Sequence, residues 1–350
     1  MGSKVFVGMS GGVDSSLTAA MLVEQGYDVT GVYMKNWSKD LPGFPCPWKE
    51  DYQDAKRVAV SLGIPFMMFD FEAEYYSDVV EYMLDGFKAG ITPNPDVMCN
   101  QEIKFKLFYD LARVKGADFI ATGHYAQTRG GTLLRAVDDN KDQTYFLYRV
   151  TTEALDHTLF PLGEMTKPQV REEAQKRGLV TANKKESMGI CFVGKVGIRE
   201  FISQFVDGIV PGRILDQHGK DIGEHDGAIY YTIGQRHGLN VGGGLPYYVT
   251  GKDMGKNEVY VTSDIADPGL WTDELRLTSA HWIARAPVVG STYQLRTRHR
   301  AALVDCVVLS ANDTSADLVL KLDDQIRAAT PGQSAVLYEA QECLGGGIIV

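Results

Sequence analysis

The sequence predicts an α/β fold: a parallel-sheet N-terminal domain, a small central mostly-β domain and a C-terminal β-barrel. Three observations predict it. Short Val-rich apolar runs alternate with helical periodicity in the first part of the chain, the rhythm of a parallel sheet covered by helices. Strand-like segments separated by Gly-rich turns fill residues 212–261. Six alternating segments joined by short turns then occupy residues 275–350, the pattern of a small closed barrel.

In order, residues 4–9 and 28–34 are apolar runs bounded by turn signals, and residues 15–25 between them have helical spacing and stop at Gly26. A helix over 52–62 stops at Gly63, a strand follows over 64–71, then helical stretches over 72–88 and 103–114 and a short strand over 118–122. A helix is expected over 197–206, and residues 264–269 have the Asp, Pro and Gly of a linker. The barrel strands are expected at 275–282, 291–298, 303–309, 316–322, 334–338 and 346–350. Domain boundaries follow at 1–196, 197–268 and 269–350. Tyr230-Tyr231 and Tyr247-Tyr248 read as core aromatics of strands.

Composition narrows the class. With 44% hydrophobic and 23% charged residues the 350-residue chain is an ordinary globular protein of two or three domains, not a disordered one. No segment approaches membrane-spanning length, and the N-terminus has no signal-peptide pattern. The five cysteines are scattered without any Cys-x-x-Cys, so reduced thiols in a cytoplasmic setting are expected. The net charge of −10 argues against a nucleic-acid partner when taken alone. Against it stand local basic groups at Lys104/Lys106, Lys184/Lys185 and Arg296/Arg298/Arg300.

The sharpest motif is Ser10-Gly11-Gly12-Val13-Asp14-Ser15-Ser16, between the first strand and the first helix. Two glycines permit a tight turn and close approach to a ligand. Ser15 and Ser16 are expected to open the helix, whose N-terminal amides attract phosphate. Asp14 signals a metal ion or a hydrogen bond that shapes the loop. The pattern resembles the PP-loop of the ATP pyrophosphatases. Two cysteines stand in unusual company. Cys99 follows Thr92-Pro93-Asn94-Pro95-Asp96, where two prolines predict a stiffened loop presenting Asp96 and Cys99. Cys191 follows Lys184 and Lys185, which would lower its pKa if folded close to it.

Across essentially the whole chain these segments resemble the bacterial tRNA-specific 2-thiouridylases. The matching pieces are the loop, Asn94-Pro95-Asp96 with Cys99, Gly123-His124, Lys141-Asp142-Gln143, Gly189-Ile190-Cys191-Phe192, Thr232-Ile233-Gly234-Gln235-Arg236-His237-Gly238 and Pro331-Gly332-Gln333. The resemblance implies that ATP binds at Gly8, Met9, Ser10, Gly11, Gly12, Val13, Asp14 and Ser15, with Met34 at the adenine and Gly123 beside it. It implies Cys99, Cys191 and Asp96 as catalytic residues: Cys191 carries a persulfide, Cys99 is its partner, and Asp96 is an acid/base. Contacts to the tRNA anticodon stem and loop are implied for Asn94, Pro95, Asp96, His124, Lys141, Asp142, Gln143, Arg298, His299 and Gln333. The family commonly has Tyr at the position of His299. Mg²⁺ is expected with ATP, a sulfur-carrier protein is expected as donor, and the chain is expected to be a monomer.

In such a reaction the uracil 2-oxygen is turned into AMP, a good leaving group, before sulfur arrives. Either Cys99 releases hydrosulfide from the persulfide, or the persulfide attacks the ring and Cys99 then breaks the S–S bond. Two rivals remain at this point: a small-molecule amidating synthetase built on the same loop, and a non-enzymatic RNA-binding barrel protein with a vestigial nucleotide domain.

Overall fold

The computed structural model describes residues 2–185, 197–239, 241, 246–312 and 314–350. The first sheet begins with β1 (Lys4–Gly8), β2 (Asp28–Lys35), β3 (Phe66–Asp70) and β4 (Phe119–Ala121). A hairpin of β5 (Gln127–Arg129) and β6 (Thr132–Leu134) follows, and β7 (Thr158–Leu159) returns to the sheet. The order is β3-β2-β1-β4-β7, with every pairing parallel. β1 is buried on both faces, which is why it reads as an unbroken apolar run. Val5 and Val7 pack with Ala19, Leu22, Val58 and Ala59 from helices α1 (Val13–Glu24) and α2 (Trp48–Ser61). Phe6 points the other way, into Val79, Val80, Met83, Ile103 and Phe108 from the helical runs 72–88 and 95–114.

The central unit is a four-stranded sheet of Gly212–Leu215, Asp221–His225, Tyr248–Asp253 and Glu258–Thr262. Helix Ile198–Phe205 inserts Phe201 and Ile202 into the core of the first domain, with Phe201 5.9 Å from the Trp37 ring. Tyr231 and Tyr248 are buried, Tyr230 and Tyr247 are half-buried, and of the four only Tyr248 lies in a strand, a partial departure from core strand aromatics.

All six expected barrel strands form: Trp271–Trp282, Thr292–Arg296, Val304–Asn312, Asp317–Arg327, Ser334–Glu339 and Glu342–Ile349. The first and last pair with each other, which closes the barrel. Leu275, Leu277, Leu295, Val308, Leu320 and Leu337 fill it. The sheet does not stop there. β6 adds to the last strand through Leu133–Cys343 and Leu134–Glu342 pairs, so the hairpin of the first domain is welded to the barrel. Among the described residues, no helix is long and apolar enough to cross a membrane.

Two local expectations are corrected. The first helix opens at Val13, with Gly12 as its N-cap, not at Ser15. The stretch holding Asp96 and Cys99 is helical, not a loop. Asn94 caps it by accepting from the Val97 amide at 3.4 Å, and Pro95 sits at its first position, where the missing N–H costs nothing. Cys99 then begins a π-helical segment, Cys99–Leu107, that passes into helix Phe108–Val114.

Candidate active site

The phosphate-type loop leaves β1 at the centre of the sheet, where β2 lies on one side and β4 on the other. In open parallel sheets such a reversal of strand order is where ligands bind. Gly11 has φ 75°, and a Cβ there would lie 2.3 Å from the Asp51 carbonyl oxygen, so only glycine fits against α2. The loop then ties itself down. The Ser10 amide donates to Ser15 Oγ at 3.1 Å, and the Ser15 and Ser16 hydroxyls donate to the Gly12 carbonyl at 3.2 and 2.7 Å. No side chain caps α1, which leaves its first-turn amides to a ligand or to solvent. Gly123, just past β4, closes the other wall: a Cβ there would lie 2.8 Å from the Ser15 nitrogen. Met34, at the end of β2, has its methyl 2.9 Å from where a Cβ on Gly8 would stand. Uncapped amides between two glycine walls suit a polyphosphate.

Asp14 is engaged by the protein itself. Lys167 Nζ reaches its two carboxylate oxygens at 2.7 and 2.8 Å, and the Tyr125 hydroxyl donates to it at 2.9 Å. These bonds are of the loop-shaping kind. No group of three or more His, Cys, Asp or Glu among the described residues is placed to hold a metal. A magnesium ion that comes with ATP takes most of its ligands from phosphates and water, and the Asp14 carboxylate beside the loop is already engaged by Lys167 and Tyr125. Lys167 and Tyr125 escaped the sequence reading. Thr166-Lys167-Pro168-Gln169 is legible as a capping box with proline in the first turn. A reach back across 153 positions is not.

Cys99 is buried, 1% exposed, on the helical run that covers this end of the sheet. Five residues on, one π-turn away, Lys104 extends to His124, with Nζ 3.5 Å from Nε2. His124 Nδ1 lies 2.8 Å from Thr122 Oγ1, and the ring packs on Phe105 and Phe160. Burial first, and the Lys104 charge second, hold its pKa well below the usual histidine value, so the imidazole is neutral at physiological pH. The helix of Cys99 is thus fastened to the strand end that walls the phosphate loop. Cys191 and its immediate neighbours lie outside the described residues. Lys184, expected to act on that thiol, places its ammonium between Asp51 and Asp54 at 2.8 and 2.6 Å. Burial pushes the Cys306 thiol up to about 12 and raises that of Cys343 as well. Both are core residues.

The segments assigned to RNA contact divide. Gln333 Nε2 donates to the Thr92 carbonyl at 2.7 Å, and the Thr92 amide donates to Pro331 at 2.8 Å. A Cβ on Gly332 would lie 2.9 Å from the Thr92 backbone, and Thr232 Oγ1 is 3.2 Å from Thr92 Oγ1. Pieces of all three domains therefore meet just before Asn94, Pro95 and Asp96. Asp142 corrects an expectation: it is fully buried and takes Arg296 at 3.0 Å, so its carboxylate faces the barrel and not a ligand. Gln143 likewise turns inward to accept from the Tyr125 amide at 2.9 Å. Of the basic groups, Arg296 is buried on Asp142 and Lys106 pairs with Glu102, whereas Arg298 and Arg300 remain exposed. Lys141 is half-buried. His299 packs against Phe146 with ring centroids 4.8 Å apart and the planes tilted by 42°. A cleft of about 590 Å³ beside Arg135, Asn140 and Arg300 lies on the barrel seam rather than at the loop.

Comparison with known proteins follows the same three-part division. A family model described as "tRNA methyl transferase HUP domain" matches residues 3–195. A "tRNA methyl transferase PRC-barrel domain" matches 199–263, and an "Aminomethyltransferase beta-barrel domain" matches 272–349. The "tRNA-specific 2-thiouridylase MnmA" of Bacillus subtilis (strain 168) is 46% identical over 353 residues, covering 99% of this chain and 95% of that one. The protein of the same name from Listeria monocytogenes serotype 4a (strain HCC23) is 48% identical over 354 residues, covering 99% and 94%. Among solved structures, a 4-thiouridine synthetase in complex with RNA and bound ATP shares 18% identity over 58% of this chain and 50% of that one. Its TM-score of 0.38 is too low to carry an argument.

Proposed function

The chain belongs to the tRNA-specific 2-thiouridylase family, and from that premise we propose that it cleaves ATP to activate the 2-oxygen of a tRNA wobble uridine and then puts sulfur in its place. The observation that carries the reading is the meeting of an uncapped glycine loop with the helix of Cys99 at one end of the sheet, through Gly123 and the Lys104–His124 pair.

The 2-oxygen attacks the α-phosphorus, and the bond to the β-phosphate breaks with its electron pair leaving on pyrophosphate. The loop residues Gly8 to Ser15, with Met34 and Gly123, surround the ATP. Cys191 brings a terminal sulfur as a persulfide from a carrier protein. Sulfur attacks the ring carbon and AMP departs with the C–O electron pair. Cys99 and Cys191 end as a disulfide, having supplied the two electrons that take the transferred sulfur to the sulfide level, and a cellular thiol resets them. Whether hydrosulfide leaves first or the persulfide attacks directly, this balance is the same. Asp96 serves as the acid/base, one helical turn before Cys99. Magnesium would accompany the nucleotide and screen its phosphates.

Residues 1–196 hold ATP and both cysteines, while 197–268 and 269–350 grip the RNA. Lys141, Arg298, His299 and His124 are offered as contacts. Asp142, Gln143 and Gln333 act instead by holding the backbone around them. The chain works as a cytoplasmic monomer, a setting that keeps its thiols reduced.

Mass spectrometry of the wobble nucleoside after incubation with ATP, tRNA and a persulfide donor tests the proposal, with a mass gain of sulfur for oxygen as the expected result. ATP–pyrophosphate exchange that runs equally well without RNA would instead favour a small-molecule synthetase. Transfer of a methyl group with no ATP cleavage would favour the reaction in the family model's description.

A further inference from the structure

The loop itself contains no lysine or arginine, although a polyphosphate brings several negative charges to it. Backbone amides and a helix dipole stabilise such charge only in part. A cation within reach comes from elsewhere in the chain. Lys167 is 9% exposed, and its ammonium is held on both oxygens of Asp14, the acidic residue in the middle of the motif. It is fixed from behind: its amide donates to Asp138 Oδ2 at 2.9 Å, and it opens a helix whose start is set by Thr166, Gln169 and Pro168. The Asp14 carboxylate also has a second donor, the Tyr125 hydroxyl at 2.9 Å, so it stays hydrogen-bonded when the ammonium leaves. The Asp14 side chain is about a third exposed and that of Lys167 about a tenth, so the pair meets solvent through the carboxylate, within the loop motif itself.

We propose that Lys167 is the phosphate-binding cation of this loop, parked on Asp14 in the free protein and passed to the β-phosphate of ATP and the departing pyrophosphate. Asp14 is then a holder of the lysine rather than a metal ligand. The inference rests on the adenylation reading but makes its own demand, because pyrophosphate binding can be measured without RNA, sulfur or turnover. The lysine forms no covalent bond. It offsets the charge left on pyrophosphate when the α–β bond breaks.

Calorimetric titration of the full chain with inorganic pyrophosphate is the test. Lys167→Gln is expected to weaken binding at least about tenfold, the size of a lost charge-assisted contact. Lys167→Arg is expected to recover most of the affinity. In tRNA-dependent ATP cleavage, Lys167→Gln should raise the KM for ATP while the KM for tRNA is unchanged. A lysine that only braces Asp14 would lower the melting temperature and leave pyrophosphate affinity as it was. A folded Lys167→Gln protein that binds pyrophosphate like the parent overturns the proposal. Should Lys167→Gln fail to fold, Tyr125→Phe decides. Losing the second donor makes the lysine costlier to remove from Asp14, so pyrophosphate affinity should fall severalfold, and unchanged affinity overturns the proposal. If pyrophosphate binding behaves as expected but no thiolated nucleoside is ever made, the functional reading fails and the lysine assignment stands.

Discussion

The Arg296 guanidinium of the barrel donates to the Asp142 carboxylate of the first domain at 3.0 Å, with side chains 6% and 0% exposed. Asp142 also accepts from Thr144 Oγ1 at 2.9 Å and from the Ala136 amide at 3.2 Å, and Arg135 Nε stands 3.9 Å away. One carboxylate therefore faces two guanidinium groups, Arg135 of its own domain and Arg296 across the seam.

Removing the negative partner strands more charge than removing one positive partner. Asp142→Asn leaves Arg296 buried without a counter-charge and should cost about 3–5 kcal/mol. Arg296→Met leaves Asp142 with Thr144, Ala136 and Arg135, and should cost less. Urea unfolding of the two variants gives the ranking. Equal losses, or a larger loss for Arg296→Met, would show that the seam does not depend on this carboxylate.

Gly123 and Gly11 make a steric prediction at the loop. The added methyl of Gly123→Ala would lie 2.8 Å from the Ser15 nitrogen and 2.9 Å from the Asp14 carbonyl carbon, both backbone atoms that cannot swing aside. The start of α1 must shift, and nucleotide binding should fall by an order of magnitude or more while the domain stays folded. Gly116→Ala is the control: its φ of 84° adds a backbone strain that Gly123 does not carry, but nothing lies within 4 Å of the added carbon. It should cost only backbone strain, about 1 kcal/mol, and leave ATP affinity unchanged. Equal ATP affinity in the Gly123 variant and the parent would remove this glycine from the site.

What the sequence made legible follows from range. The loop is local: Gly11, Gly12 and the first turn of α1 are contiguous, so strand, turn and helix can be read together. The six barrel strands are long enough to show alternation. By contrast β5 and β6 have three residues each, too few to show a period, and their partner strand begins at Glu342. The helical start at Pro95 departs from the expected loop because proline excludes helix interiors yet favours the first turn, and Asn94 just before it is the cap signal. The resemblance implies tRNA contacts for Lys141, Asp142 and Gln143, but the Asp142 and Gln143 side chains point inward to Arg296 and the Tyr125 amide. Those partners are set by domain packing, which no local pattern records.

His299 makes stability depend on pH. Burial, then Arg300, Arg296 and Lys141, push its pKa from the usual 6.5 down to about 4. Between those values the unfolded chain binds a proton that the folded one does not, so stability falls as pH drops from about 6.5 towards 4 and is unaffected above 6.5. His299→Tyr keeps a ring on Phe146 and removes the titration. His124, whose pKa is also lowered, keeps some slope in both proteins. Urea midpoints at pH 7 and pH 5 should therefore differ less in the variant than in the parent. The same pH dependence in both would assign the effect to other groups.

The cysteines separate chemistry from packing. Cys99→Ser and Cys191→Ser should each abolish sulfur incorporation while tRNA-dependent release of pyrophosphate persists, since neither thiol takes part in splitting ATP. Cys46 is the control. It is half-buried, its Sγ donates to the Trp37 carbonyl at 3.6 Å, and burial raises its pKa, which makes it a poor thiolate. Cys46→Ser should thiolate at close to the parental rate. Single-turnover reactions quenched for both pyrophosphate and thiolated nucleoside resolve the two steps. If one of the two single variants still installs sulfur at the parental rate, then a one-cysteine route operates and the paired-thiol mechanism is wrong.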